Sequence, residues 1–398
     1  TRADMEQGRP VWQSVGGLDE RGNAFGIHGS RAEDNVPVMN GLAQRLQGGA
    51  IFVFNNLTFE EVVVETGGMS AERSTGGVQM NIVPRDGGNT FSGSFSTSHS
   101  SPSWQAGNLT DELRSRGLSF SPSLKQHYDT GGALGGPIVR DRLWFFNAYR
   151  FGGNQQYQQG NYFNKLQDVN VSADPVYRVT FYEPDLERPG HTNDYYRDYS
   201  LRLTWQAARQ HKIVVSYQVQ PNCSCFWPLL ELGPQQGIQG TPEAVGAHNY
   251  KVNYLPLVTW TYPATNRLLL EAGASANVFD NNTLRTDPSV GSDTIAITEL
   301  SGNFRYGSRA LGISHAQGYR VQHNRQYRQR VSMSYITGSH AFKAGLETSQ
   351  YREGSPGKAM DSNQINGARS YAFRNRIPQQ VTIFAVPFEQ LWRTHDVA

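Results

Sequence analysis

Residues Tyr199–Gln206 read YSLRLTWQ and residues Ile213–Gln220 read IVVSYQVQ. In the first, Tyr199, Leu201, Leu203 and Trp205 alternate with Ser200, Arg202, Thr204 and Gln206. A period of two places the apolar side chains on one face of a strand and the polar ones on the other. The second repeats the arrangement, with Ile213, Val215, Tyr217 and Val219 opposite Ser216, Gln218 and Gln220, and the polar turn Arg209–His211 makes the pair a hairpin. Working outward, Val252, Tyr254, Val258, Trp260 and Tyr262 turn at Pro263–Asn266 and return through Leu268, Leu270, Ala272, Ala274, Ala276 and Val278. Tyr327, Val331, Met333 and Tyr335 turn at Thr337–His340 and return through Phe342, Ala344 and Leu346. Upstream, Tyr128–Ile138 and Arg142–Phe151 form a hairpin around Val139–Asp141. The pattern predicts about nine strands, with a tenth near Tyr371.

The connections alternate as regularly as the strands do. Short turns take turns with long polar linkers at 101–125, 152–194, 221–249, 280–324 and 353–368. Compact soluble domains seldom carry so many long loops. An antiparallel transmembrane β-barrel requires them on its outer side, with tight turns on the periplasmic side. Strands of ten or more residues suit a tilted crossing of the hydrocarbon layer. Trp144, Tyr149, Tyr195, Tyr196, Trp205, Tyr217, Tyr250, Trp260, Tyr262, Tyr335 and Tyr351 gather near strand ends, as interfacial girdles do. Arg202, Glu271, Arg328, Arg330, Lys343 and Glu347 fall on the polar face, so the interior is expected to be wet or filled by a polar plug.

Composition agrees with an all-β reading. Only 37% of the 398 residues are hydrophobic, whereas Gly (41), Tyr (19), Phe (19) and Trp (7) are abundant. The net charge of +2 comes from 36 basic and 34 acidic residues without a basic run, which argues against nucleic acid as a partner. No window reaches the 18 or so consecutive apolar residues of a spanning helix. No nucleophile elbow or paired carboxylates mark an enzyme. The run Gly131–Gly136, GGALGG, lacks the Lys and Ser/Thr of a phosphate loop, and its glycines suit bending or close contact within a sheet. The histidines show no metal-ligand spacing, and no cofactor is expected. Cys223 and Cys225 are candidates for a local disulfide in an oxidising compartment, against the strain of so short a ring.

Residues 1–88 read differently, with Gly pairs punctuating short apolar runs such as Ile51–Phe54 and Val62–Val64, and predict a small mixed α/β unit. The stretch Phe59–Asn89, FEEVVVETGGMSAERSTGGVQMNIVPRDGGN, resembles the end of the plug domain of TonB-dependent receptors. Phe25–Arg31, FGIHGSR, with Asn40-Gly41 is similar to an earlier plug segment. Gly131–Arg150, GGALGGPIVRDRLWFFNAYR, resembles the first periplasmic turn of the Oar-like branch.

The resemblance implies a plugged barrel of about 22 strands when complete. It implies that residues 1–88 are the C-terminal part of a plug and 89–398 the first part of the barrel, an open half-barrel with edges near 91–99 and 371–385. It further implies an outer-membrane receptor that takes up a scarce ligand through TonB, whose contact region is expected to lie outside this chain. Partners are then outer-membrane lipid, the TonB complex and an extracellular ligand, for which Tyr- and Asn-rich loops such as Asn154–Asn164 suit a carbohydrate or peptide. The alternative is a surface adhesion or interaction protein displaying loops 152–194 and 280–324 from the same barrel. On the family reading, Arg31, Glu65, Glu72, Arg73 and Arg85 form plug-to-barrel ion pairs that break under TonB traction.

Overall fold

A computed structural model describes residues 36–44, 55–67, 78–107, 109–117, 123–174, 176–227, 239–309, 319, 321–354, 369–383 and 391–397. Among these the chain is overwhelmingly strand, and no helix is long and apolar enough to cross a membrane. A small sheet comprises β1 (Val36–Met39), β2 (Leu42–Ala43), β3 (Phe59–Glu65) and β4 (Gln79–Pro84) in the order β2-β1-β4-β3. β1 and β4 run parallel and the other pairs antiparallel.

The large sheet is built on ten strands. They are β5 (Ser92–Ser100), β6 (Ser123–Val139), β7 (Leu143–Asn164), β9 (Asp194–Ala208), β10 (His211–Val219), β14 (Asn253–Pro263), β15 (Leu268–Asp280), β19 (His323–Thr337), β20 (His340–Gly354) and β23 (Leu391–Val397). Each pairs antiparallel with the next in that order. Among the described residues β5 pairs only with β6 and β23 only with β20, so the sheet is open. The strand count and one edge agree with the sequence reading, but the other edge does not. Residues 369–383, which carry Tyr371, belong elsewhere, and β23 closes the series.

The burial pattern is that of a membrane wall. On one face Tyr199, Trp205, Val215, Tyr217, Val258, Val331, Met333, Phe342 and Leu346 are exposed. On the other, Arg202, Thr204, Ser275 and Ser332 are buried. Water would drive the opposite arrangement, because apolar area removed from it contributes about 25 cal/mol per Å². The register makes the apolar face continuous across strands, as in Leu143–Trp205–Ile213–Trp260–Ala272–Val331–Leu346. Three aromatics expected in the girdles instead point inward. Tyr196 donates to Asp129 at 2.9 Å, the Tyr351 hydroxyl lies 2.8 Å from both Asn324 Oδ1 and Glu353 Oε2, and Trp144 Nε1 donates to Asn89 at 2.7 Å. A ring at a strand end favours either face when its hydroxyl or N–H has a partner inside.

The long connections are structured. β8 (Pro184–His191) pairs with β7; β11 (Asn222–Trp227) lies between β9 and β13 (Gly246–Tyr250); β16 (Asn282–Arg285) extends β13. A five-stranded sheet, in the order β12 (Gln239–Gly240), β18 (Phe304–Tyr306), β17 (Ala296–Glu299), β21 (Arg369–Arg374) and β22 (Ile377–Ile383), gathers three of the connections. Val179, Ile295, Ile297, Tyr306 and Phe373 form its core, with Tyr371 packed against it. The alternation around Tyr371 therefore serves a loop sheet, and a period of two does not distinguish that from a barrel strand. Asn154–Asn164 is no loop but the outer half of β7. Its Asn154, Asn161 and Asn164 are buried, and Asn164 donates to the Phe181 carbonyl at 2.9 Å and accepts from the Glu183 amide at 3.0 Å.

Candidate functional site

The small sheet rests on the polar face of the large one, and the seam between them carries several charged contacts. The connector Pro84-Arg85-Asp86-Gly87-Gly88-Asn89 links β4 to β5. Asp86 reaches the wall from it. Its carboxylate accepts from Arg202 Nε at 2.5 Å, Thr204 Oγ1 at 2.8 Å and Lys212 Nζ at 3.2 Å. Strand parity brings the three donors together, since Arg202 and Thr204 are i and i+2 on β9 and Lys212 lies across the hairpin on β10. Burial pushes the Asp86 carboxyl up, but Arg202 and Lys212 more than offset it and hold it below its ordinary value of 3.8. Arg202 also donates to Asn40 Oδ1 at 3.3 Å, and Arg330 on β19 donates to the Gly41 carbonyl at 3.2 Å. The β1–β2 turn is thus tied to two distant strands of the wall. A cavity of about 200 Å³ lies in this seam, lined by Asn40, Arg202, Lys212, Thr259, Glu271 and Arg330 among others.

A second contact lies further along β9. Asn55 Nδ2 donates to Asp198 Oδ1 at 2.7 Å, and Asp198 accepts also from Ser200, Gln218 and Gln220. The buried carboxylate is held by neutral donors from both sheets. Leu57 beside it packs on Ala133, Phe146 and Ala148. Gly131, of the GGALGG run, lets it in: a Cβ there would stand 2.7 Å from Leu57 Cδ1. The connector is clasped as closely. A Cβ on Gly87 would lie 2.2 Å from the Phe145 carbonyl oxygen, and Asn89 Oδ1 accepts from the Asp141 amide at 2.9 Å and from Trp144. Asp141 sits at φ 60° in the first tight turn, so Asn89 pins a turn that depends on a left-handed residue.

Of the five charges singled out from the sequence, Arg31, Glu72 and Arg73 lie outside the described residues. Glu65 is exposed at the end of β3. Arg85 donates from Nε to the Phe59 carbonyl at 2.7 Å, which ties the end of β4 to β3 within the small sheet. The residue that meets the wall is its neighbour Asp86, and the signal for it was the parity of Arg202 and Lys212, two inward cations on one hairpin. Of the inward charges expected from parity, Arg328 faces Glu347 at 3.7 Å and Glu271 Oε2 accepts from Ser332 at 3.4 Å. Cys223 and Cys225, on β11 at the long-loop end, are joined, with Cα atoms 5.2 Å apart.

At that same end a cationic and aromatic cluster forms between β6, β7, β8 and β11. Lys125 Nζ lies 3.0 Å from His191 Nε2, over the Tyr157 ring, while His191 packs on Phe226 and Arg188 on Phe163. Behind it Glu243 is buried, which pushes its carboxyl up against the opposing hydrogen bond from the Asn164 amide. Burial and then the Glu243 charge push the Tyr182 hydroxyl up to about 12.

An open antiparallel sheet with apolar side chains on its outer face and a second sheet held on its charged inner face has the architecture of part of a β-barrel wall. Comparison with solved structures agrees. The chain superposes on the outer membrane transporter YddB from Escherichia coli with a TM-score of 0.56, at 12% identity, covering 94% of this chain and 47% of that one. It superposes on a mutant of the ferric enterobactin receptor PfeA from Pseudomonas aeruginosa with a TM-score of 0.52, at 11% identity, covering 95% and 49%. In sequence it is 29% identical over 226 residues to the TonB-dependent transporter Oar of Myxococcus xanthus, covering 53% of this chain and 20% of the relative. No family model matches the chain. It spans about a fifth of that relative and about half of each of those solved structures. In sequence the chain is therefore similar to a TonB-dependent transporter, and in fold to outer-membrane receptors, over the part of those proteins that it spans.

Proposed function

We propose that residues 1–88 are the end of a plug and residues 89–398 the first part of the barrel of an energised outer-membrane transporter. The observation that carries the reading is the Asp86 seam: a carboxylate of the small sheet's connector holds Arg202, Thr204 and Lys212 of the wall. A static wall has no need of a charged internal contact, whereas a plug that must leave and return does. Ionic contacts reform without exposing apolar area, which an apolar seam would do on every cycle. The ligand enters from the long-loop end, where Lys125, Tyr157, His191 and Phe226 offer rings and polar groups suited to a carbohydrate or peptide. TonB acts from the tight-turn end and draws the small sheet away from Asp86's partners. The chain works as a binder and carrier, with no chemical step.

The five-stranded loop sheet, with its own apolar core, also suits a rigid display surface for adhesion. Uptake separates the two readings. A receptor containing this chain should support accumulation of labelled oligosaccharides or peptides in cells with TonB and lose it in cells without, while surface binding persists in both. Uptake unchanged without TonB overturns the energised reading and leaves display.

A further inference from the structure

We propose that the tight-turn rim of the wall binds the headgroups of anionic phospholipid through four arginines. Three successive tight turns carry them: Arg140 and Arg142 between β6 and β7, Arg209 between β9 and β10, and Arg267 between β14 and β15. The turns are neighbours along the rim. The Gln206 amide donates to the Arg142 carbonyl at 2.8 Å, which joins the first turn to the second. His211 stacks on Tyr262 with ring centroids 4.3 Å apart, which joins the second to the third. All four arginines are exposed, and among the described residues none of their guanidinium groups has a hydrogen-bond or ion-pair partner.

The charge of the turns themselves is one-sided. Residues 139–143, 208–211, 263–268 and 337–340 contain one carboxylate, Asp141, and it accepts from Asn89 Nδ2. Lys212, just inside the second turn, is held by Asp86 and is not counted with the four. Neighbouring turns stand two strand spacings apart, roughly 10 Å, which is about one Debye length at physiological salt. Their fields therefore add in the space between them, where a phosphate meets more than one guanidinium. Phosphate accepts bidentate hydrogen bonds from such groups. Immediately above the rim the outward face turns aromatic. Trp205, Tyr335 and Phe342 are exposed there, and Trp260 and Tyr262 stack with His211. Rings of this kind lie at the level of lipid headgroups, and arginine stems run along apolar surface while the charged end stays in water. An acidic soluble partner would have no use for the aromatic band, and a zwitterionic lipid already carries a cation beside its phosphate. Aromatic band and unpaired guanidiniums together fit an anionic phospholipid.

The inference rests on the outer-membrane reading, so the test begins by fractionation: a protein absent from outer membranes overturns the location, before any lipid is compared. The full receptor containing this chain is then reconstituted in phosphatidylcholine vesicles, and its association with spin-labelled phosphatidylglycerol is measured against spin-labelled phosphatidylcholine. Phosphatidylglycerol should be preferred. Arg209→Gln combined with Arg267→Gln should weaken its binding at the rim roughly fivefold for each arginine removed, which is about 1 kcal/mol apiece. Arg209→Lys combined with Arg267→Lys keeps both charges and should keep the larger part of the preference. Neither arginine has a side-chain partner to lose among the described residues, so both variants should assemble as the parent does. Equal association of the two lipids, a preference unaltered in the glutamine variant, or a loss as large in the lysine variant overturns the proposal. Capture of soluble polyglutamate by the parent, without a lipid preference, assigns the rim to an acidic protein and overturns it as well.

Discussion

Replacing Asp86 by Ala removes the acceptor of three wall donors while Arg202 stays in place, its side chain 11% exposed. Hydrogen bonds to charged groups contribute about 1.5 to 3 kcal/mol each. Two of the three are ionic on both sides, but the Asp86 side chain is 33% exposed, so water takes over part of the lost interaction. The docking of the small sheet should therefore weaken by about 2 to 4 kcal/mol. Hydrogen exchange in the detergent-solubilised receptor reads this directly. The amides of β1 and β4, around the buried Val38 and Ile82, should lose protection by roughly 30- to 700-fold, at about 1.4 kcal/mol per tenfold. The wall strands β14 and β15 should keep theirs. Adding Arg202→Met to the Asp86 change should recover a large part of the loss, because the cost lies in the stranded cation more than in the missing attraction. Protection within twofold of the parent in Asp86→Ala would refute the seam as the element that holds the small sheet.

Asp86 also sets a pH dependence. Its carboxyl is held below 3.8, so the contact contributes fully above that value and is lost as pH falls through the lower folded-state value; exchange protection of β4 should drop there in the parent and stay flat in Asp86→Asn. Val258→Arg places a cation on the outward face of β14 and should cost about 2 to 4 kcal/mol at mid-membrane, whereas Thr259→Arg beside it faces the seam cavity and should assemble; equal yields in outer membranes would contradict the facing. Gly87→Ala drives a methyl into the Phe145 carbonyl and should expose the connector to protease from the periplasmic side, while Gly88→Ala, with open space around its Cβ position, should not. Intact mass after alkylation should show Cys223 and Cys225 unmodified until reduced, and two labels without reduction would contradict the link.

Side-chain parity along each strand was legible in the sequence because it is a local property: Leu201 and Arg202 face opposite ways whatever else the chain does. With the alternation of tight and long connections, that was enough for an open antiparallel wall, its inside and its outside. The outer loop sheet was not legible. Val179, Ile297, Tyr306 and Phe373 come from three separate connections, and nothing in any one of them shows that the others complete its core. The same holds for the second edge, where Tyr371 and Leu391 both begin plausible strands and only the pairing of β20 with β23 decides between them. The sequence alone does not separate Asp86 from Arg85, because the choice between adjacent charges depends on which of them the turn after β4 aims at the wall. That aim is set by the close packing of Gly87 on Phe145 and by Asn89 on the Asp141 turn, contacts between residues more than fifty positions apart. Periodicity records which face a residue takes; which partner waits there is decided by tertiary packing, since long-range pairs leave no regular spacing in the chain.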